Sequence, residues 1–116
     1  MGGEYELQFE PGGLPMVNDN AIADCIREVA IDLIGTDRVL PQETSMGSED
    51  FGAFLDLAPG AMFRLGCLIE GDERRGHNPR FDIDERCLPV GTAILAETAL
   101  RLLRGGGKKQ EAGGKN

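Results

Sequence analysis

The chain has no tryptophan, one tyrosine and a single histidine in 116 residues. Its three cysteines, Cys25, Cys67 and Cys87, are odd in number, widely spaced and form no Cys-x-x-Cys pair. That excludes a disulfide framework and reads as reduced thiols. A zinc cluster of Cys67, His77 and Cys87 is disfavoured, because Cys67 falls in an expected strand and Cys87 at an expected helix start. No apolar run approaches the roughly 20 residues that span a bilayer, and no basic, then apolar, leader precedes the first expected strand. A cytoplasmic protein is therefore expected. Basic charge is also scarce: 12 Lys and Arg stand against 20 Asp and Glu, for a net charge of -8. Three lysines and one glutamate in the last twelve residues contribute +2, leaving -10 on the body. Such an acidic surface argues against nucleic acid and against anionic membranes as partners.

What is present is patterned. Tyr5, Leu7 and Phe9 alternate with acidic and amide residues, the period of a half-buried strand, and Pro11-Gly12-Gly13 ends it. Asn18-Asp19-Asn20 offers a helix cap. Beyond it Ile22, Cys25, Ile26, Val29, Ala30 and Leu33 recur at helical spacing up to Gly35, a left-handed terminator. Arg38-Val39-Leu40 reads as a short edge or connecting strand. Ser48-Glu49-Asp50-Phe51 opens a second expected helix, with Ser48 as its cap and Phe51, Phe54, Leu55 and Ala58 facing inward until Pro59-Gly60.

Ala61 to Ile69 is nearly all apolar, as expected of a strand buried on both faces. A polar loop over residues 70 to 83 carries His77. From about Asp84 or Leu88 to Leu103 a third helix is expected, with Leu88, Leu95, Ala99 and Leu102 along one side. The order predicts an α/β fold with a small mixed sheet and about three helices. Residues 1–15 read as a strand and linker, 16–104 as a partial α/β domain, and 105–116 as a disordered Gly/Lys tail.

The chemistry available is narrow. There is no Gly-x-Ser-x-Gly elbow, and Met46-Gly47-Ser48-Glu49 lacks the Lys of a phosphate loop. Glu49 and Asp50 are ordinary first-turn carboxylates, or, at a helix start facing a cleft, groups that position a ligand or a catalytic neighbour. His77 is the most informative residue. A metal-bound imidazole needs a stiff loop and an acceptor for its second nitrogen. Pro79 restricts Asn78, and Asp82 or Asp84 is available as the acceptor. One histidine does not build a zinc site, which ordinarily takes three or four protein ligands.

Two segments together carry a resemblance. Met46-Gly47-Ser48-Glu49-Asp50-Phe51, then Pro59-Gly60 and Phe63-Arg64-Leu65-Gly66, resembles a signature of a zinc metallopeptidase family. Its relevant branch contains aminoacylases, hippurate hydrolases and indole-acetyl-amino-acid amidohydrolases. His77-Asn78-Pro79-x-Phe81-Asp82-x-Asp84-Glu85 is similar to that family's C-terminal motif, and Val17-Asn18-Asp19 to the segment following its last lid-domain strand. The resemblance runs from about residue 5 to residue 103.

The resemblance implies the C-terminal part of a di-zinc aminopeptidase-like catalytic domain, with Tyr5 to Phe9 closing a lid domain. His77 would be a metal ligand, with zinc or manganese the family's metal, while Ser48, Glu49, Asp50, Asn78 and Asp82 would lie at the cleft or behind the ligand. The family's other ligands and its glutamate base have no counterpart here. No catalytic residue is therefore assigned, and the chain alone is expected to be inactive and to bind no metal. The expected function is that of a fragment or truncated relative of a metal-dependent amidohydrolase acting on N-acyl amino acids. The alternative is a non-catalytic assembly or binding module that keeps only the scaffold. Either reading leaves uncovered apolar surface, so a homo-oligomer or a missing N-terminal catalytic half is expected as partner.

Overall fold

A computed structural model describes residues 2–9, 12, 15–47, 49–72, 74 and 76–106. Three α-helices are present among them, α1 (Asn20–Ile34), the single turn α2 (Gly52–Leu55) and α3 (Cys87–Gly106), with one 3-10 turn at Thr36–Arg38.

Helix α1 forms where its spacing and caps require. Asp19 precedes it in an extended conformation, and its carboxylate accepts from the Ile22 amide at 3.0 Å. That satisfies one of the orphan donors of the first turn, an interaction worth about 1 kcal/mol. At the far end Gly35 takes φ +87° and its amide donates to the Ile31 carbonyl at 2.9 Å. A side chain at this angle would be strained, which is why glycine stands there. Helix α3 follows a turn at Glu85 and Arg86, and Pro89 lies in its first turn, where no intrahelical amide is lost.

These two helices make the core. Val29 and Ala30 of α1 meet Ile94 of α3, and Ile26, Val39, Phe63 and Val90 close around them. Val29 is wholly buried and Ile94 is 2% exposed. Arg101 adds an ion-paired clamp, donating to Glu97 one turn earlier at 2.9 Å and to Asp32 of α1 at 2.8 Å. Thr98 is buried beside this contact, and its hydroxyl has no partner among the described residues.

The expected sheet is not there. Among the described residues no strand forms, so the α/β expectation is overturned in favour of helices joined by extended and turn segments. Tyr5, Leu7 and Phe9 are exposed instead of half-buried. Residues 38–40 continue from the 3-10 turn, with the Val39 amide on the Thr36 carbonyl at 3.2 Å. Ala61 to Ile69 is held by isolated contacts instead of a ladder: the Asn18 side chain brackets Met62 by donating to its carbonyl and accepting from its amide at 2.9 and 2.8 Å, and the Asp84 backbone amide donates to the Cys67 carbonyl at 2.9 Å.

The physical reason is that alternation and apolarity select a residue's preference for extended backbone, but a strand exists only when a second strand accepts its amides. None of the described segments lies alongside Ala61 to Ile69 in that way. The second helix is likewise shorter than expected, four residues instead of a span from Ser48 to Ala58. Phe54, expected inside, is 65% exposed and stacks on Phe51 with ring centres 6.0 Å apart. Ser48, the expected cap, lies outside the described residues, as do 107–116 of the expected tail; residues 105 and 106 end α3.

A second difference concerns α3. The residues turned to the core are Val90, Gly91, Ile94 and Thr98, whereas Leu88, Leu95, Ala99 and Leu102 form a separate, exposed stripe. The four residues expected along one side of the helix do align, and that side is exposed beside the covered one. No helix among the described residues is long and apolar enough to cross a membrane.

Candidate functional site

The loop between Ile69 and α3 is built from short-range contacts. The Asp72 amide donates to the Ile69 carbonyl at 3.0 Å, and Gly71 turns the chain at φ +77°. Asp72 accepts the Arg74 backbone amide at 2.9 Å and grips its guanidinium through both carboxylate oxygens. Those hydrogen bonds to Arg74 lower the Asp72 carboxyl to about 2. Arg74 reaches across the loop to donate to the Arg80 carbonyl, so one guanidinium braces both limbs.

His77 stands at the loop's outer tip. It is exposed, and its backbone takes φ +72°, unique among the described non-glycine residues. Positive φ costs a residue with a β-carbon, although histidine tolerates it better than most. Directly after it, the Asn78 side chain accepts from the Arg80 amide at 2.9 Å and the Asn78 carbonyl from the Phe81 amide at 2.9 Å. The loop therefore closes as a tight turn over Asn78-Pro79-Arg80-Phe81, and His77 is the residue through which the chain enters it.

Neither candidate acceptor reaches the imidazole among the described hydrogen bonds. Asp82 accepts the adjacent Ile83 amide at 2.8 Å. Asp84 holds Arg86, which lowers its carboxyl below the ordinary aspartate range, chiefly through the guanidinium hydrogen bonds. Glu49 and Asp50 lie on a different segment, exposed, before α2, where the Asp50 carbonyl accepts from Ala53 at 3.1 Å. No cluster of three or more His, Cys, Asp or Glu side chains that would hold a metal forms among the described residues. What the fold presents is one imidazole on a braced loop.

Sequence reasoning did not find the groove between α1 and the Ala61 to Ile69 segment. It has a volume of about 790 Å³ and is lined by apolar groups such as Ile26, Val39 and Phe63 with Arg27, Arg38 and Arg64 at its margins. The signal lies in the apolar run itself, whose composition predicts a strand covered on both faces. Here one side of that run is open.

Comparison with known proteins decides what this arrangement descends from. Residues 3–101 match the model of peptidase family M20/M25/M40. The chain belongs to that family. An IAA-amino acid hydrolase of Arabidopsis thaliana, ILR1-like 6, is 36% identical over 77% of this chain and 20% of its own. YhaA of Bacillus subtilis, provisionally named an amidohydrolase, is 33% identical over 85% of this chain and 26% of its own. A Rhodococcus jostii protein, provisionally named a glutamate–cysteine ligase, is 37% identical over 78% of this chain but only 12% of its own.

The chain thus spans between about an eighth and a quarter of the length of these curated relatives. The ligase name describes a protein of which the matched segment is a small part, and the family match does not extend that chemistry here. No solved structure matches. The family is one of metal-dependent peptidases and amidohydrolases, and the expected resemblance is confirmed at that level.

Proposed function

We propose that this chain is one portion of a metal-dependent amidohydrolase whose substrates are N-acyl amino acids, and that His77 is the single metal ligand it contributes. The observation that carries the reading is the family match over residues 3–101 combined with a lone histidine held at positive φ on a loop braced by Arg74. A ligand imidazole must present a free nitrogen in a fixed direction, and a pinned, exposed loop tip does so. The relatives' names support the amide-bond class, and the hydrolases of amino-acid conjugates among them support the N-acyl amino acid as substrate.

In this reading the metal, zinc or manganese, supplies the polarisation of the amide carbonyl once the other ligands are in place. This chain supplies one donor and no general base, and so does not hydrolyse amides by itself. Asn78 shapes the turn that directs the imidazole. Asp82 and the Ser48-Glu49-Asp50 segment are assigned to the margin of the completed cleft. The remaining ligands come from a partner, either further sequence of the kind the longer relatives carry or another polypeptide. A cytoplasmic location goes with this reading, as does the absence of nucleic-acid and membrane partners.

A second reading, supported by the scattering of the donor side chains among the described residues, is an assembly module that keeps the scaffold without chemistry. Calorimetric titration of zinc into the chain, wild type and His77→Ala, separates the two. The same titration is repeated with the remainder of a family member's catalytic domain added, alongside hydrolysis of an N-acetyl amino acid. Metal binding and turnover that appear only in the mixture, and vanish with His77→Ala, are expected. A mixture whose zinc affinity and activity are indifferent to His77 would overturn the enzyme reading and leave the assembly module.

A further inference from the structure

Along Ala61 to Ile69 burial alternates. Phe63, Leu65, Cys67 and Ile69 are half-buried, while Arg64, Gly66 and Leu68 between them are exposed. That period of two puts Leu65 and Cys67 on the same side of the segment. On α3 the covered row is Cys87, Gly91, Ile94 and Thr98, spaced as one face of a helix, with Cys87 one turn ahead of Gly91. Each covered side therefore carries one cysteine.

Two contacts fix how these sides meet. At the first, Leu65 rests on Gly91: a β-carbon built on residue 91 would lie 3.8 Å from the leucine's Cγ and 2.7 Å from its Cδ2. At the second, the Cys67 carbonyl accepts from the Asp84 backbone amide at 2.9 Å, and the Cys87 amide donates to the Asp84 carbonyl at 3.0 Å. The segment therefore runs along α3 toward its N-terminus. From Leu65 to Cys67 an extended chain advances by about 6.6 Å, and from Gly91 back to Cys87 a helix retreats by about 6 Å. The two steps match, so Cys67 comes over Cys87 as Leu65 comes over Gly91. Both are free thiols, and both line a cavity of about 540 Å³ that opens to solvent and admits a small reagent.

We infer that Cys67 and Cys87 are a redox-sensitive pair that closes to an intramolecular disulfide under a low-molecular-weight disulfide such as glutathione disulfide. The reduced thiols are the resting state and the bond is a reversible modification. A disulfide takes Cα atoms about 4.4–6.8 Å apart, and the backbone of each cysteine is one hydrogen bond from Asp84. Closure takes two exchanges. The thiolate of one cysteine attacks a sulfur of glutathione disulfide, forming a mixed disulfide and releasing one glutathione thiolate. The thiolate of the other attacks the protein sulfur of that mixed disulfide and releases the second glutathione. The two protein thiols lose two electrons and two protons, and glutathione disulfide takes them up as two glutathione thiols.

Residues 67 and 87 bracket the stretch that carries Arg74, His77 and the turn at Asn78. The bond thus clamps the base of that loop and fastens the Ala61 to Ile69 segment to α3. The inference goes beyond the metal-ligand reading and does not rest on it, because it stands on the packing of the segment against the helix.

The full chain is treated with glutathione disulfide under native conditions, digested with trypsin without reduction, and weighed. The peptide from Leu65 to Arg74 is expected joined to the peptide from Cys87 to Arg101. Cys25 lies on α1 and does not line the cavity, so Cys25→Ser isolates the pair. In that background the intact product should be two hydrogens lighter than the starting chain and carry no glutathione. Adding Cys67→Ser or Cys87→Ser should instead trap one glutathione on the remaining thiol. Oxidation of Cys25→Ser should raise the thermal midpoint by about 5–10 °C, since the bond closes a loop of about twenty residues, and a phosphine reductant should reverse it.

Glutathione retained on both cysteines would overturn the inference, as would a wild-type product joined through Cys25 or a bond between two chains. A midpoint that stays or falls on oxidation would also overturn it, since bonding distance would then be reached only by distorting the folded packing. Zinc titration of His77→Ala reads the metal role alone, so failure of that reading and failure of the thiol pair are observed separately.

Discussion

Gly91 of α3 lies directly beneath Leu65, so that a β-carbon built on residue 91 would come within 2.7 Å of the leucine's Cδ2. This contact seats the Ala61 to Ile69 segment against α3 where no ladder holds it. Two effects oppose each other on substitution. Alanine is favoured over glycine inside a helix by about 1 kcal/mol, and the clash falls on the far end of a flexible side chain. Gly91→Ala is therefore expected to leave stability within about 1 kcal/mol of the wild type as Leu65 turns aside. Gly91→Leu cannot be accommodated by a rotamer change alone and should cost about 1–3 kcal/mol, by overpacking. Urea unfolding of the two variants distinguishes them, and a Gly91→Leu chain as stable as Gly91→Ala would show that Leu65 does not rest on the helix.

Thr98 sits against the same packed face with a hydroxyl that lacks a partner among the described residues. A buried, unpaired hydroxyl costs desolvation without return, whereas valine has the same shape and no polar atom. Thr98→Val is expected to stabilise the chain by about 1 kcal/mol. Thr98→Ala, which removes both the hydroxyl and a methyl group, should gain less or lose stability. The order of their thermal midpoints is the check. A Thr98→Val variant less stable than the wild type would mean that the hydroxyl is bonded in solution.

How much of this was legible in the sequence depends on whether a signal is local. A cap within Asn18-Asp19-Asn20, a helix end at Gly35 and the Ile26, Val29, Ala30 side of α1 were legible because the residues involved are within a turn or two of each other. Leu33 of the same stripe is nonetheless exposed, and Gly35 takes φ +87° with ψ 154° instead of a left-handed helical turn. Ala61 to Ile69 was read as a strand from composition, and failed because strand formation depends on a neighbour that composition cannot report. Which side of α3 is covered was not legible for a related reason: Leu88, Leu95 and Leu102 are more apolar than Gly91 and Thr98, and only contact with Val29 and Ala30 shows that the neighbouring row is the buried one. Of the candidate site, the loop and its single histidine were legible. The positive φ of His77 and the Arg74 brace were not, since neither leaves a residue-type signature.

The Asp72–Arg74 pair gives that loop a pH dependence with a definite sign. The folded carboxyl is lowered from 3.8 to about 2 by its hydrogen bonds to Arg74. A depressed carboxyl contributes stability at any pH above its unfolded value and loses it as the pH falls through the folded one. The loop should therefore keep its shape at neutral and mildly acidic pH, and loosen between about pH 4 and pH 2. Carboxyl chemical shifts in a pH titration locate the midpoint. Arg74→Gln should return Asp72 toward 3.8 and at the same time release the Arg80 carbonyl. If the Asp72 midpoint does not move in that variant, Arg74 is not its partner.

Under the proposed ligand role, the backbone conformation of His77 and its imidazole are separable by substitution. At φ +72° an ordinary side chain is strained, and glycine would adopt the angle freely. Glycine also widens the unfolded ensemble, by an amount of similar size and opposite sign. His77→Gly is accordingly expected to change stability by less than about 1 kcal/mol. His77→Val, branched at the β-carbon, should cost about 1–3 kcal/mol, because the left-handed region is closed to it. Both variants remove the imidazole, so on the proposed ligand role both should abolish the His77-dependent metal binding of the mixture described above while differing in stability. That split separates the side chain's chemistry from the backbone's strain. Equal stability of His77→Gly and His77→Val would show that the loop relaxes out of the positive-φ conformation in solution, leaving the imidazole without a fixed direction.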